Sequence, residues 1–294
     1  MKSIVNLIIL FVSFVSFSQT VETYTYAIKN NNSLKLDVYT PEKIADSIKL
    51  PVVIWMHGGG FSGGSRYGRD EQKFMNYLAK NEYVGVSISY RLLRKGAKTG
   101  FGCQCLKEDK LFTFANAAED FLDATNYIIQ NSDSLNIDTK KIIAGGSSAG
   151  AEVVLSAVYM KDYFIEDTSN YDAITYAGLI SFAGAMVDEN FITKENVVPT
   201  VLFHGTKDNI VPYSKAAHHL CKPNEKGYLI LNGSGVIFTM LEKLNMSYYL
   251  FRVEEGQHEV QAIPFHELDS IIRFLNNTIV DSKVIQTKRL VFKH

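Results

Sequence analysis

The chain has 294 residues, 46% of them hydrophobic and 21% charged, with a formal net charge of −1. That is an ordinary globular balance with enough apolar content for a sizeable core. So small a net charge leaves no overall field to draw the protein to nucleic acid or to an anionic membrane, and neither is expected as a partner.

In chain order, the first segment is "MKSIVNLIILFVSFVSFSQT". Lys2 precedes an almost wholly apolar stretch from Ile4 to Phe17, and Ser16-Phe17-Ser18 supplies the small residues that a signal peptidase requires. Residues 1–18 read as a cleaved signal peptide, with Gln19 opening a mature chain that is secreted or periplasmic. The stretch is short for a membrane span, and no later segment is long and apolar enough to make one. An exported chain meets oxidising conditions. Its three cysteines therefore allow one disulfide, Cys221 with Cys103 or Cys105.

Next, "VETYTYAIK" and "LKLDVYTP" alternate polar and apolar residues around "NNNS", the pattern of an antiparallel hairpin. The pattern then changes. "VVIWM" (52–56), "VGVSIS" (84–89), "KIIAG" (141–145), "GLISFAG" (178–184) and "TVLFH" (200–204) are short, nearly continuous apolar runs. Between them, "RDEQKFMNYLAK", "ANAAEDFLDATNYIIQN" and "AGAEVVLSAVYMK" carry helical spacing. Strands apolar on both faces, alternating with amphipathic helices, imply an α/β fold with a mostly parallel central sheet covered on both sides. "GVIFTMLEKLN", the strand "SYYLFRVE" and a helix near "FHELDSIIRFLNN" follow. No linker divides the chain, so residues 19–280 form one catalytic domain. The basic tail 281–294 reads as a solvated, frayed end. The irregular segment 92–114 is too long for a plain connector and is expected to be functional or mobile.

The strongest chemical signal is "IIAGGSSAGAEVVL", where a strand runs into Gly146-Ser147-Ser148-Ala149-Gly150 and a helix begins at once. Gly-x-Ser-x-Gly in that context marks a nucleophilic serine, Ser148, on a strained turn that tolerates only small neighbours. The helix N-terminus stabilises negative charge beside it. "HGGGF" (57–61) follows the strand "VVIWM". Its glycines offer bare amides, and Gly59, Gly60 and Ala149 are the candidate oxyanion-hole donors for a tetrahedral intermediate. His57 is expected to shape that loop rather than to transfer protons.

In combination, "HGGGF" (57–61), "SISYRL" (87–92), "GGSSAG" (145–150), "HGTKDNIVP" (204–212) and "EEGQHE" (254–259) resemble the α/β-hydrolase superfamily. More narrowly they are similar to the esterases and lipases related to hormone-sensitive lipase. The resemblance spans nearly the whole mature chain. It implies an α/β-hydrolase fold with Ser148 as nucleophile, Asp208 as acid and His258 as base. Placement agrees: Asp208 lies just past the strand "TVLFH", and His258 lies in the loop after the next strand. Rival bases are His204, expected to be structural, and His218, His219 and His266, expected on helices. The chain departs from the family at Ser147, where relatives commonly carry an acid. Only residues 161–175 separate the nucleophile helix from the next strand, which leaves a small or absent cap; any cover would come from 92–114.

The implied function is an exported serine carboxylesterase acting on short-chain acyl esters. Its substrate would be a small molecule or a polysaccharide carrying acetyl or feruloyl groups. Neither a metal nor another cofactor is required. The alternatives are a non-catalytic ligand-binding protein on a hydrolase fold, or a lipase. The oligomeric state is not legible.

Overall fold

A computed structural model describes residues 20–42 and 48–293; the signal-peptide reading falls outside the described residues. The hairpin near the start is β1 (Thr20–Lys29) and β2 (Asn32–Thr40). Asn30 and Asn31 between them have φ of 50° and 63°, a conformation that a two-residue hairpin turn needs and asparagine tolerates. Alternation follows: β3 (Leu50–Met56), α1 (Arg69–Lys80), β4 (Val84–Ile88), α2 (Lys107–Gln130), β5 (Ile137–Ser147) and α3 (Ala149–Tyr159). A short α4 (Lys161–Phe164) leads to β6 (Gly178–Phe182), β7 (Ala185–Met186), β8 (Thr200–Gly205), β9 (Lys215–Ala217) and β10 (Ile230–Gly233). The chain finishes with α5 (Ser234–Lys243), β11 (Tyr248–Glu254), α6 (Leu268–Leu275) and β12 (Gln286–Phe292).

Among the described residues, nine strands form one sheet in the order β1-β2-β4-β3-β5-β6-β8-β11-β12, and β7, β10 and β9 form a small second one. β1 and β2 are antiparallel additions; from β4 to β12 every neighbouring pair is parallel. The α/β-hydrolase arrangement expected from the motifs is the one observed, and the carboxyl ends of the parallel strands share one edge. Ligand sites in such sheets lie at that edge.

Alternation along the strands decides which layer each side chain joins. In β3, Val52, Ile54 and Met56 pack with α2 and α3, whereas Val53 and Trp55 pack with α1 and α6. Trp55 is fully buried, edge-on to Phe74 at 5.0 Å and tilted against Phe182 at 5.4 Å. α5 covers the far end of the sheet through Ile237, Phe238 and Leu241 against Leu202 and Leu250. Among the described residues no helix is long and apolar enough to cross a membrane.

Two expectations are corrected. The tail 281–294 is not frayed: residues 286–292 add β12 as a parallel edge strand beside β11. The Arg289 guanidinium donates to both oxygens of Glu267, at 2.7 and 2.8 Å. The catalytic domain therefore runs to Phe292 rather than ending at 280. Segment 92–114 is irregular only to Leu106, because α2 starts at Lys107. Lys110 on its first turns is fully buried, its ammonium donating to the Gly227 carbonyl at 2.8 Å, which masks the amphipathic spacing there.

Candidate active site

β5 delivers Ser148 to the catalytic edge, and α3 leaves immediately behind it. The turn holds Ser148 at φ 51° and ψ −122°, a region that a residue bearing a Cβ occupies at a cost of about 1–3 kcal/mol. Close packing enforces it. A Cβ on Gly150 would collide with the carbonyls of Met56 and His57, and one on Gly146 with the backbone of Gly150. The Ser148 amide donates to the Phe182 carbonyl at 2.8 Å, which fixes the turn to β6.

The Ser148 hydroxyl meets His258 Nε2 at 2.8 Å, and His258 Nδ1 meets Asp208 Oδ2 at 2.7 Å. Because Nδ1 faces a carboxylate, it carries the ring proton and leaves Nε2 free to accept from the serine. Asp208 is held from its other side. Its Oδ1 accepts from the amides of Ile210 and Val211, at 2.9 and 3.0 Å. Burial alone would raise its pKa. Hydrogen bonds from His204 and His258, with their charge, outweigh that and hold the carboxyl well below the usual carboxylate range. The three residues that the motifs singled out in widely separated parts of the chain thus form one hydrogen-bonded relay.

The glycine loop lies opposite. Gly59 has φ 116° and Gly60 φ 58°. A Cβ on Gly58 would press on the Ser147 carbonyl and Ser148, and one on Gly59 would overlap Gly63, so the loop's own packing excludes side chains there. Only at Gly60 would a Cβ meet open space. Gly59, Gly60, Ser148, Ala149 and His258 line one cleft of about 310 Å³. Among the described turn, loop and cap bonds, none has the amide of Gly59, Gly60 or Ala149 donating to a backbone carbonyl. His57 shapes the loop as expected, its Nδ1 lying 2.7 Å from the Gly58 carbonyl, and the Tyr90 hydroxyl donates to the His57 carbonyl at 3.1 Å. A larger hollow of about 440 Å³ opens beside α3 and residues 195–198, but none of the relay residues lines it.

The other histidines sort differently. His204 is fully buried and spans Ser234 Oγ, at 2.9 Å from Nδ1, and the Val211 carbonyl, at 3.0 Å from Nε2. It buttresses the Asp208 loop, as expected of a structural residue. His218 and His219 do not sit on a regular helix: positive φ at His219 (56°) and Leu220 (53°) breaks it, and both side chains line the cleft. His266 is exposed in a turn before α6 and takes no part. Sequence reasoning missed Glu152, one helical turn past Ser148, which also reaches the cleft. It also missed Gln261, which accepts from Ser147 at 3.0 Å. Cover comes from residues 92–106, which place Phe101 in the lining. Cys103–Cys221 is the disulfide, joining that loop to the His218–His219 segment, while Cys105 is free and buried.

Comparison with known proteins agrees with this architecture. Over 127 residues the chain is 34% identical to Esterase B1 of Culex pipiens, covering 42% of this chain and 21% of that protein. Over 126 residues it is 30% identical to the phenmedipham hydrolase of Pseudarthrobacter oxydans, covering 42% of this chain and 22% of that one. In both relatives the match takes in about a fifth of the protein's own length. The fold is similar to that of Thermogutta terrifontis esterase 2 phosphorylated by paraoxon, with TM-score 0.63 and 19% identity over 91% of this chain and 96% of that one. Residues 36–187 match the BD-FAE family. That stretch is more than half of the chain and runs from within β2 through β7, with the glycine loop and Ser148; the chain belongs to the BD-FAE family of α/β hydrolases.

Proposed function

We propose that the protein is an exported serine carboxylesterase that hydrolyses short-chain acyl esters, with acetyl or feruloyl groups on polysaccharides as its natural targets. The observation that carries the reading is the relay from Ser148 through His258 to Asp208, set at the mouth of a cleft beside the N-terminus of α3. Relatives and structural neighbours named as esterases support it. Export rests on residues 1–18 and is supported by the Cys103–Cys221 disulfide, since such bonds persist in oxidising compartments.

The chemistry follows from the geometry. His258 Nε2 takes the Ser148 proton as Oγ attacks the ester carbonyl carbon, and Asp208 stabilises the imidazolium that forms. Negative charge moves to the carbonyl oxygen, which the amides of Gly59, Gly60 and Ala149 would meet; one such donor is worth about 2.7–4 kcal/mol in the transition state. Collapse breaks the bond to the alcohol, which leaves with the proton from His258. Water, activated by the same imidazole, then attacks the acyl-serine and releases the acid.

Turnover of p-nitrophenyl acetate, with Ser148→Ala as control, tests the reading. Folded protein without turnover would end it. Initial rates on acetate, butyrate and laurate esters should fall with acyl length, because little cover stands over the cleft. Release of acetate or ferulate from decorated xylan tests the polysaccharide refinement.

A further inference from the structure

Glu152 and His218 stand out among the side chains that the relay does not use. Both line the cleft beside Ser148, and both are almost fully buried, at 2% and 1% exposure. Glu152 lies on the first turn of α3, which begins immediately after Ser148. His218 Nε2 approaches Glu152 Oε1 to 3.4 Å, outside good hydrogen-bond geometry. Glu152 Oε1 and His218 Nδ1 have no hydrogen-bond partner among the described residues. Two buried polar groups without partners, on residues that line the cleft beside Phe101, Ile210 and Val211, call for a ligand group to complete them.

We infer that Glu152 and His218 form a polar subsite that hydrogen-bonds an uncharged hydroxyl of the substrate, a few bonds from the scissile ester carbonyl. The inference rests on the esterase reading and gives it a specificity determinant. A hydroxyl suits either member of the pair because it can donate or accept, whichever the unpartnered carboxyl oxygen or ring nitrogen requires. Charge on the substrate would not suit it. Burial, with the nearby Asp208 charge, keeps the Glu152 carboxyl protonated well above its ordinary range, although Lys110 acts in the opposite sense. Burial, then the charges of His219, Lys110 and His258, keeps His218 neutral against the opposing pull of Asp208. The Lys110 ammonium is already engaged by the Gly227 carbonyl. The subsite therefore presents neutral groups, and a site built to hydrogen-bond a hydroxyl discriminates strongly against an analogue lacking it.

Two pairs of near-isosteric esters locate the hydroxyl. Methyl β-hydroxybutanoate against methyl isovalerate places it on the acyl side, and glycol monobutanoate against propyl butanoate places it on the alcohol side. In one pair the wild-type protein should favour the hydroxylated ester by at least about tenfold in kcat/KM. Glu152→Leu and His218→Phe should bring that ratio close to unity, and Glu152→Gln should keep most of it. A ratio is unaffected by the fraction of protein folded, so a merely structural role for the pair would leave it unchanged. Turnover of p-nitrophenyl acetate by the wild type separates the two claims. Without it both the esterase reading and this subsite fall. With it, and with no preference for the hydroxyl in either pair, or with a preference that survives both substitutions, only the subsite falls.

Discussion

Ser147 Oγ donates to Gln261 Oε1 across 3.0 Å, linking the turn that holds Ser148 to the one-turn helix His258–Gln261. The position where relatives commonly hold an acid thus serves here as a tie between two loops that must stay in register. Ser147→Ala should lower kcat about two- to tenfold, the loss of one neutral hydrogen bond of about 0.5–1.5 kcal/mol. KM and Tm should move little. Steady-state kinetics with a thermal melt check this, and an unchanged kcat would remove the tie from the account.

Asp208→Asn keeps the shape but presents an amide where His258 needs a carboxylate, favouring the wrong ring tautomer. A fall in kcat of about 10⁴ is expected with the fold retained by circular dichroism. His204 touches the same carboxylate at 3.3 Å, so a residual role for it would show as a much smaller loss.

The Cys103–Cys221 disulfide closes a loop across 118 positions and fastens the Phe101 segment to the His218–His219 segment. Replacing both cysteines by serine should cost about 2–5 kcal/mol in denaturant unfolding. KM should rise, because both joined segments line the cleft.

Acid should destabilise the protein through its buried histidines. Burial, aided by Lys110 and His258 and opposed by Asp208, pushes His219 down to about 4, while burial lowers His57 and His218 as well. A folded-state value below the unfolded one, near 6.5, means that the unfolded chain binds more protons between the two. Stability is then full above about pH 6.5 and is lost as pH falls toward 4. His219→Gln should flatten that descent by about 1–2 kcal/mol after allowance for the partial exposure of the ring. Melts across this window test it.

Arg289→Ala leaves the buried Glu267 carboxylate and the Tyr249 hydroxyl without their cation. A loss of about 1–3 kcal/mol is expected, with kcat unaltered, because β12 supports the sheet edge and touches none of the relay. Chemical denaturation beside kinetics distinguishes this from a catalytic effect.

Much of the site was legible because strained turns impose local rules. Gly146 and Gly150 sit where any Cβ would strike backbone, so the pentapeptide around Ser148 announces itself. α1 was readable to the residue, "RDEQKFMNYLAK", because its buried positions Phe74, Met75, Leu78 and Ala79 repeat at helical spacing. Tertiary contacts hid the rest. Lys110 reads as a surface charge but is buried against Gly227, which concealed the start of α2. The run "TKRLVF" looks like a solvated tail until β11 offers it an edge to pair with. His218 and Glu152 carry no local signal at all, since their placement depends on chain segments far apart in sequence.

The central claim is that Ser148 is the nucleophile of an ester hydrolase, and organophosphate labelling followed by peptide mapping tests it most directly. The account predicts one adduct per chain, on the peptide containing Ser148, with p-nitrophenyl acetate turnover lost in step with labelling. An adduct on another residue, or turnover that persists in Ser148→Ala, would contradict it.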